Sequence, residues 1–84
     1  MKNLRMFQVK YLGATNNRSS RIKITDTRYK VSVTLSKSFE FDNITDQAVK
    51  YLNDQGITIT CRAWNEMTGD DFLLTSDFTT QIKK

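Results

Sequence analysis

Arg21-Ile22-Lys23-Ile24-Thr25-Asp26-Thr27-Arg28-Tyr29-Lys30-Val31-Ser32-Val33-Thr34-Leu35-Ser36 is the stretch whose reading decides the fold. Apolar and polar side chains alternate along it with the period of two that belongs to a strand with one buried face. Ile22 and Ile24 point one way, and Arg21, Lys23 and Thr25 the other. Asp26-Thr27 supplies short polar residues suited to a turn. The alternation then resumes over about 28–36, with Tyr29, Val31, Val33 and Leu35 inward and Lys30, Ser32 and Thr34 outward.

The same period appears upstream in residues 5–12, where Phe7, Val9 and Tyr11 oppose Gln8 and Lys10. Three half-buried strands in succession predict an antiparallel meander. Between the first two lies Gly13-Ala14-Thr15-Asn16-Asn17-Arg18-Ser19-Ser20, a polar loop rich in turn formers.

Downstream of the meander, residues 37–43 read as a connection, and Asn43 or Thr45 as the N-cap of a helix over about 44–55. Ile44, Ala48, Tyr51 and Leu52 fall on one stripe of that helix. Asp46 sits in its first turn with the spacing to pair with Lys50, and Gly56 suits the C′ position. Beyond it, Ile57, Ile59, Cys61 and Ala63 alternate with Thr58, Thr60, Arg62 and Trp64 as a fourth strand. A turn around Gly69 leads to a fifth strand from Phe72 to Thr75. The expected class is α+β, in the order β-β-β-α-β-β, with one helix packed on one face of an antiparallel sheet of about five strands.

With no repeat, proline or low-complexity segment, the 84 residues read as a single domain over 1–84. Such a chain buries roughly 60–65% of its unfolded surface, leaving little room for a deep catalytic cleft. Cys61 is the only cysteine, so no intrachain disulfide can form and a reducing, cytoplasmic setting is expected. The alternation in which Cys61 sits predicts a buried, inert thiol. No apolar run resembles a signal peptide or a membrane span, so no membrane partner is expected.

The chemistry-bearing residues point away from an enzyme. There is no histidine to act as general base or metal ligand, and one cysteine cannot build a zinc site. Three glycines do not compose a phosphate-binding or dinucleotide loop, so no cofactor is expected. Asp70 and Asp71 are adjacent on a strand, which aims them at opposite faces and keeps them from sharing a metal or a proton.

Charge is where the chain is uneven. Residues 1–36 carry eight cations against Asp26 alone, net +7, whereas residues 37–84 carry five cations against eight acids, net −3. Such asymmetry suggests a polyanionic partner. If the inward residues pack under the helix, Lys10, Arg21, Lys23, Lys30, Arg62 and Trp64 share the opposite sheet face. That face would combine phosphate contacts with a stacking aromatic. The plainer alternative packs Trp64 on the stems of long basic side chains or near the C-terminus. In the loop, Thr15, Asn16, Arg18, Ser20 and Arg21 offer hydroxyl, amide and guanidinium donors for phosphate oxygens, although an ordinary solvated connection has the same composition.

The run Tyr11-Leu12-Gly13-Ala14-Thr15-Asn16-Asn17-Arg18-Ser19-Ser20-Arg21-Ile22-Lys23, followed by Ser32-Val33-Thr34, resembles a motif of small uncharacterised proteins of phages and mobile elements. Ser19 stands where that pattern usually has glycine. The resemblance spans about residues 7–35 and implies action in a bacterial cytoplasm, with Thr15, Asn16, Arg18, Ser20 and Arg21 as working residues. It brings no activity with it. Two expectations follow: a non-enzymatic module binding nucleic acid through the basic loop and sheet face, or a protein-binding accessory factor or inhibitor of a host enzyme or defence system. The first or fifth strand could form an open edge that pairs with a second copy.

Overall fold

A computed structural model describes residues 3–14, 19–38, 40–41 and 43–82. The elements run β1 (Arg5–Leu12), β2 (Arg21–Asp26), β3 (Val31–Ser36), α1 (Ile44–Asp54), β4 (Cys61–Trp64) and β5 (Asp71–Thr75). The fold is therefore α+β, one five-stranded sheet in the spatial order β3-β2-β1-β5-β4 with every neighbouring pair antiparallel. The sheet's edges are β3 and β4. This corrects the expectation of an open edge at the first or fifth strand, because β5 inserts between β1 and β4 and leaves both interior.

The first two strands keep the bounds their alternation predicts. The third starts later than expected, at Val31, because the Asp26 carboxylate accepts the Arg28 and Tyr29 backbone N–H groups at 2.9 and 3.3 Å. Those bonds commit residues 27–30 to a turn, and Lys30 closes it at φ 55°. A left-handed last residue suits the twist of a four-residue hairpin loop, but costs an L-residue about 1–2 kcal/mol. Lys30→Gly is expected to raise stability by up to about 1 kcal/mol in urea melts, the relief being offset partly by the entropy of an unfolded glycine.

Helix α1 packs over β1. Its contribution from Ala48 and Leu52 meets Phe7, Val9, Ile22, Ile24 and Leu73 of the sheet, with Ile57 and Ile82 closing the core. Val33 and Leu35, out on β3, are only half-buried, and Tyr11, expected inward, is 49% exposed. One short helix cannot cover five strands.

The Asn43 side chain caps the helix by accepting the Asp46 N–H at 2.9 Å. At the other end the Gly56 N–H donates to the Asn53 carbonyl and the Ile57 N–H to the Leu52 carbonyl. That is the Schellman arrangement, with buried Leu52 and Ile57 as its apolar pair. Gly56 holds φ 91°, and a Cβ there would meet nothing nearer than 3.9 Å. The penalty for Gly56→Ala is thus backbone strain alone, expected at about 1–2 kcal/mol in a denaturant melt. Lys50 pairs with Asp54 at 3.3 Å rather than with Asp46, which lies 3.7 Å from Arg62 of β4.

A buried ion pair lies beneath the sheet. Arg5 and Asp26 both have wholly buried side chains and are bonded at 2.5 Å. The guanidinium also donates to the Asp77 and Thr80 carbonyls at 3.1 and 2.7 Å, and lies over the rings of Phe7 and Tyr29. The C-terminal stretch is strapped here, since the Tyr29 hydroxyl donates to the Phe78 carbonyl at 2.7 Å and Ile82 reaches the core. Within the strap, Thr80 and Thr79 donate to the Asp77 carboxylate and hold it well below its usual range. A depressed folded pKa stabilises the fold above the unfolded value of 3.8, and that contribution is lost as pH falls toward the folded value. Asp77→Asn is expected to flatten the acid limb of a stability-against-pH curve below about pH 4 while leaving the neutral limb's slope unchanged.

The fourth strand differs most from expectation. Regular pairing covers only Cys61–Trp64. The Thr60 N–H donates to the Leu74 carbonyl at 2.9 Å, yet Cys61 is the residue registered opposite Leu74. Two residues facing one is the geometry of a β-bulge. One extra residue reverses which side of the sheet every later side chain meets. Ile57 and Ile59 pack toward the core, but Cys61 and Ala63 turn to the open face and Arg62 and Trp64 to the helix side. The expected buried thiol is corrected accordingly: Cys61 is exposed.

Candidate functional site

The register defines what the uncovered side of the sheet presents. Residues in phase with Phe7, Val9 and Ile24 meet the helix, so Met6, Gln8, Lys10 and Leu12 of β1 face the other way. Arg21, Lys23 and Thr25 join them from β2, Ser32, Thr34 and Ser36 from β3, Phe72 and Leu74 from β5, and Cys61 and Ala63 from β4. No secondary-structure element among the described residues covers this side.

Lys10 is registered directly opposite Lys23, and Thr34 lies opposite Lys23 in turn. Leu12, Arg21 and Ser36 form the adjoining row. Like charges directly across a strand pair repel, which destabilises a sheet unless something offsets them. Among the described residues no carboxylate lies within ion-pair distance of Lys10, Lys23 or Arg21. The Arg21 Nε is closed off from solvent and has no acceptor among the described residues. The facing lysines are thus an unfavourable feature of this end of the face that an anion would relieve.

A second row crosses the middle of the face: Ser32, Thr25, Gln8, Phe72 and Ala63. The Gln8 Nε2 donates to Asp70 Oδ2 at 2.9 Å, which fixes the amide. Asp71 serves the opposite face, accepting from the Thr45 hydroxyl at 2.9 Å. The two adjacent carboxylates diverge, as their alternation requires.

The residues singled out from the sequence are thus distributed unevenly. Lys10, Arg21 and Lys23 come together on the open face. Thr15, Asn16 and Arg18 lie outside the described residues. Ser20 is at the same end of the sheet, but its hydroxyl bonds to Tyr11 Oη at 2.9 Å on the helix side. Lys30 is in the turn at the far end of the β2–β3 hairpin. Three residues separate Lys23 from the end of β2, so Lys30 is displaced by roughly 10 Å or more.

Arg62 and Trp64 are on the helix side of edge strand β4, which corrects their expected place beside the lysines. The bulge at Thr60 and Cys61 is the reason. Trp64 is 61% exposed and borders a shallow groove of about 360 Å3 with Asn43, Thr45, Arg62 and Asp71. The Arg62 guanidinium there lies 3.7 Å from Asp46 and Asp71 adds a second carboxylate, which makes that groove unattractive to an anion. Trp64→Ala is therefore expected to leave oligonucleotide affinity within about twofold of the parent protein, as befits an exposed side chain off the lysine face.

Gln8 and Phe72 were not among the residues first singled out. Gln8 was visible as an outward residue of β1, whereas the side taken by Phe72 depends on long-range pairing of β5 with β1. No group of His, Cys, Asp or Glu among the described residues could hold a metal ion. No described helix is long and apolar enough to cross a membrane. No family model matches the chain, and no curated protein or solved structure matches it either.

Proposed function

We propose that this chain is a small, non-enzymatic nucleic-acid-binding module that uses the open sheet face. The carrying observation is the Lys10–Lys23 pair, two cations placed directly opposite one another with Arg21 alongside and, among the described residues, no carboxylate within ion-pair distance. A row of phosphates is the ligand chemistry that turns this repulsion into attraction. The surplus of cations in residues 1–36 supports the same reading, because the single acid there, Asp26, is consumed by Arg5. Action in a bacterial cytoplasm, with a phage or mobile element as the source, belongs to this proposal and is supported only by the resemblance over about residues 7–35.

The reading is tested by fluorescence anisotropy of the full chain with labelled single-stranded and duplex oligonucleotides at low salt. Saturable binding that weakens as salt rises is the expected result. Absence of binding to every oligonucleotide by a folded sample would refute it. A second reading, a protein-binding accessory factor, is favoured by the exposed edge strand β4 with Trp64 and the neighbouring Met67. Such an edge can accept a partner's strand. A partner that stays on the immobilised chain after nuclease treatment, without any oligonucleotide binding, selects that second reading.

A further inference from the structure

Width decides which kind of nucleic acid suits the face. Five strands at about 4.8 Å spacing make a surface roughly 19 Å across. The major groove of B-form DNA is about 12 Å wide and admits a helix or a two-stranded ribbon. The five-stranded surface as a whole is too broad to enter it. The two edges of that surface differ too: β3 presents Ser32, Thr34 and Ser36 on this side, and β4 presents Cys61 and Ala63, none of them a cation. Among the described residues of this face the positive charge lies on β1 and β2, with the aromatic one strand away on β5.

Phe72 is registered opposite Gln8, and Lys10 follows Gln8 by two residues on the same face. A base on the Phe72 ring would therefore lie one strand across and two residues along from Lys10, roughly 8 Å between Cα positions. Gln8 lies between them with its amide already fixed by Asp70, so its Oε1 accepts without having to be ordered first. Cations that track a backbone, an aromatic that takes a base and a polar group at the base edge are the parts of a single-strand site. A duplex keeps its bases stacked internally and could use the lysines alone.

Resting on the reading of the open face as a nucleic-acid surface, we infer that its ligand is a single strand, with one base stacked on Phe72, Gln8 Oε1 at that base's edge, and Lys10 and Lys23 on the adjoining phosphates. Apolar Met6 and Leu74 flank Phe72 on this face and exclude water from one side of the stacked base.

The test compares the full-length chain with Phe72→Leu, Phe72→Tyr and the double variant Lys10→Gln/Lys23→Gln, each checked for a cooperative thermal melt. Labelled single-stranded DNA, single-stranded RNA and duplex DNA of one sequence are titrated at low salt. The parent protein is expected to prefer single strands to duplex by at least about tenfold. Phe72→Leu should weaken single-strand binding roughly five- to a hundredfold, leave weak duplex binding and the salt slope unchanged, and be rescued by Phe72→Tyr. Lys10→Gln/Lys23→Gln should weaken all three ligands and lower the salt slope. Equal affinity for single strand and duplex, or a Phe72→Leu variant that binds as the parent does while the lysine variant fails, overturns the single-strand inference and leaves the polyanion reading intact. Failure of the parent protein to bind any of the three defeats both.

Discussion

Asp26→Ala is expected to unfold most of the population at neutral pH, or to lower the urea midpoint so far that the native baseline is lost. The reason is the charge it strands. Arg5 and Asp26 are both fully shielded from solvent, and removing one partner of such a pair typically costs 3–5 kcal/mol, about the lower bound of a domain's whole stability. Further losses follow, because the same carboxylate holds the Arg28 and Tyr29 N–H groups in the turn between β2 and β3. Asp26→Asn keeps those turn bonds but loses the charge, and should fall between parent and alanine variant. The double replacement Arg5→Met/Asp26→Leu should recover a large part of the loss, since two apolar side chains of similar volume leave no buried charge. Recovery should be incomplete. Arg5 also anchors the C-terminal strap through the Asp77 and Thr80 carbonyls, and methionine donates to neither. An Asp26→Ala variant that melts within about 1 kcal/mol of the parent would show that the pair is not buried as described.

Lys10→Glu is expected to move stability and binding in opposite directions. A carboxylate opposite Lys23 replaces repulsion by attraction, worth roughly 0.2–1 kcal/mol to the sheet, a gain that the Asp70 carboxylate in line with position 10 on the β5 side offsets in part. Oligonucleotide affinity should fall roughly ten- to hundredfold, from the loss of one charged contact and the repulsion of phosphate by the new carboxylate. A purely structural lysine would show no such opposition. Thermal melts and low-salt anisotropy on one preparation read both quantities. Loss of stability together with unchanged affinity would place the ligand elsewhere.

Much of the fold was readable from local pattern. The strict alternation of residues 5–12 and 21–26 set the bounds of β1 and β2, and the capping chemistry of Asn43 or Thr45, of which the structure uses Asn43, and of Gly56 marked the helix ends. What escaped lies in long-range pairing. Nothing in Thr60 or Cys61 announces a bulge, because neither is a glycine and the event is one backbone N–H choosing the Leu74 carbonyl. That choice moved Arg62 and Trp64 away from the lysines and brought Cys61 to the surface.

The buried pair was partly legible. Arg5 is in phase with Phe7 and Val9, so the alternation already aimed it inward, but a terminal arginine reads naturally as a solvated cation. Its partner is 21 positions away, and only the β1–β2 register brings the two together. The lysine pair shows the reverse case. Lys10 and Lys23 were each legible as outward residues, yet their direct opposition, which carries the functional argument, appears only with the register.

The central claim, that the Lys10, Lys23 and Arg21 face holds phosphates, is tested most directly by the salt dependence of single-strand binding. Three cations on a single strand predict a slope of log K against log salt near −2, at about 0.7 per phosphate contact. In Lys10→Gln/Lys23→Gln the slope should drop to roughly −0.7, with the melting temperature held or slightly raised. A folded double variant that keeps the parent slope would contradict the account.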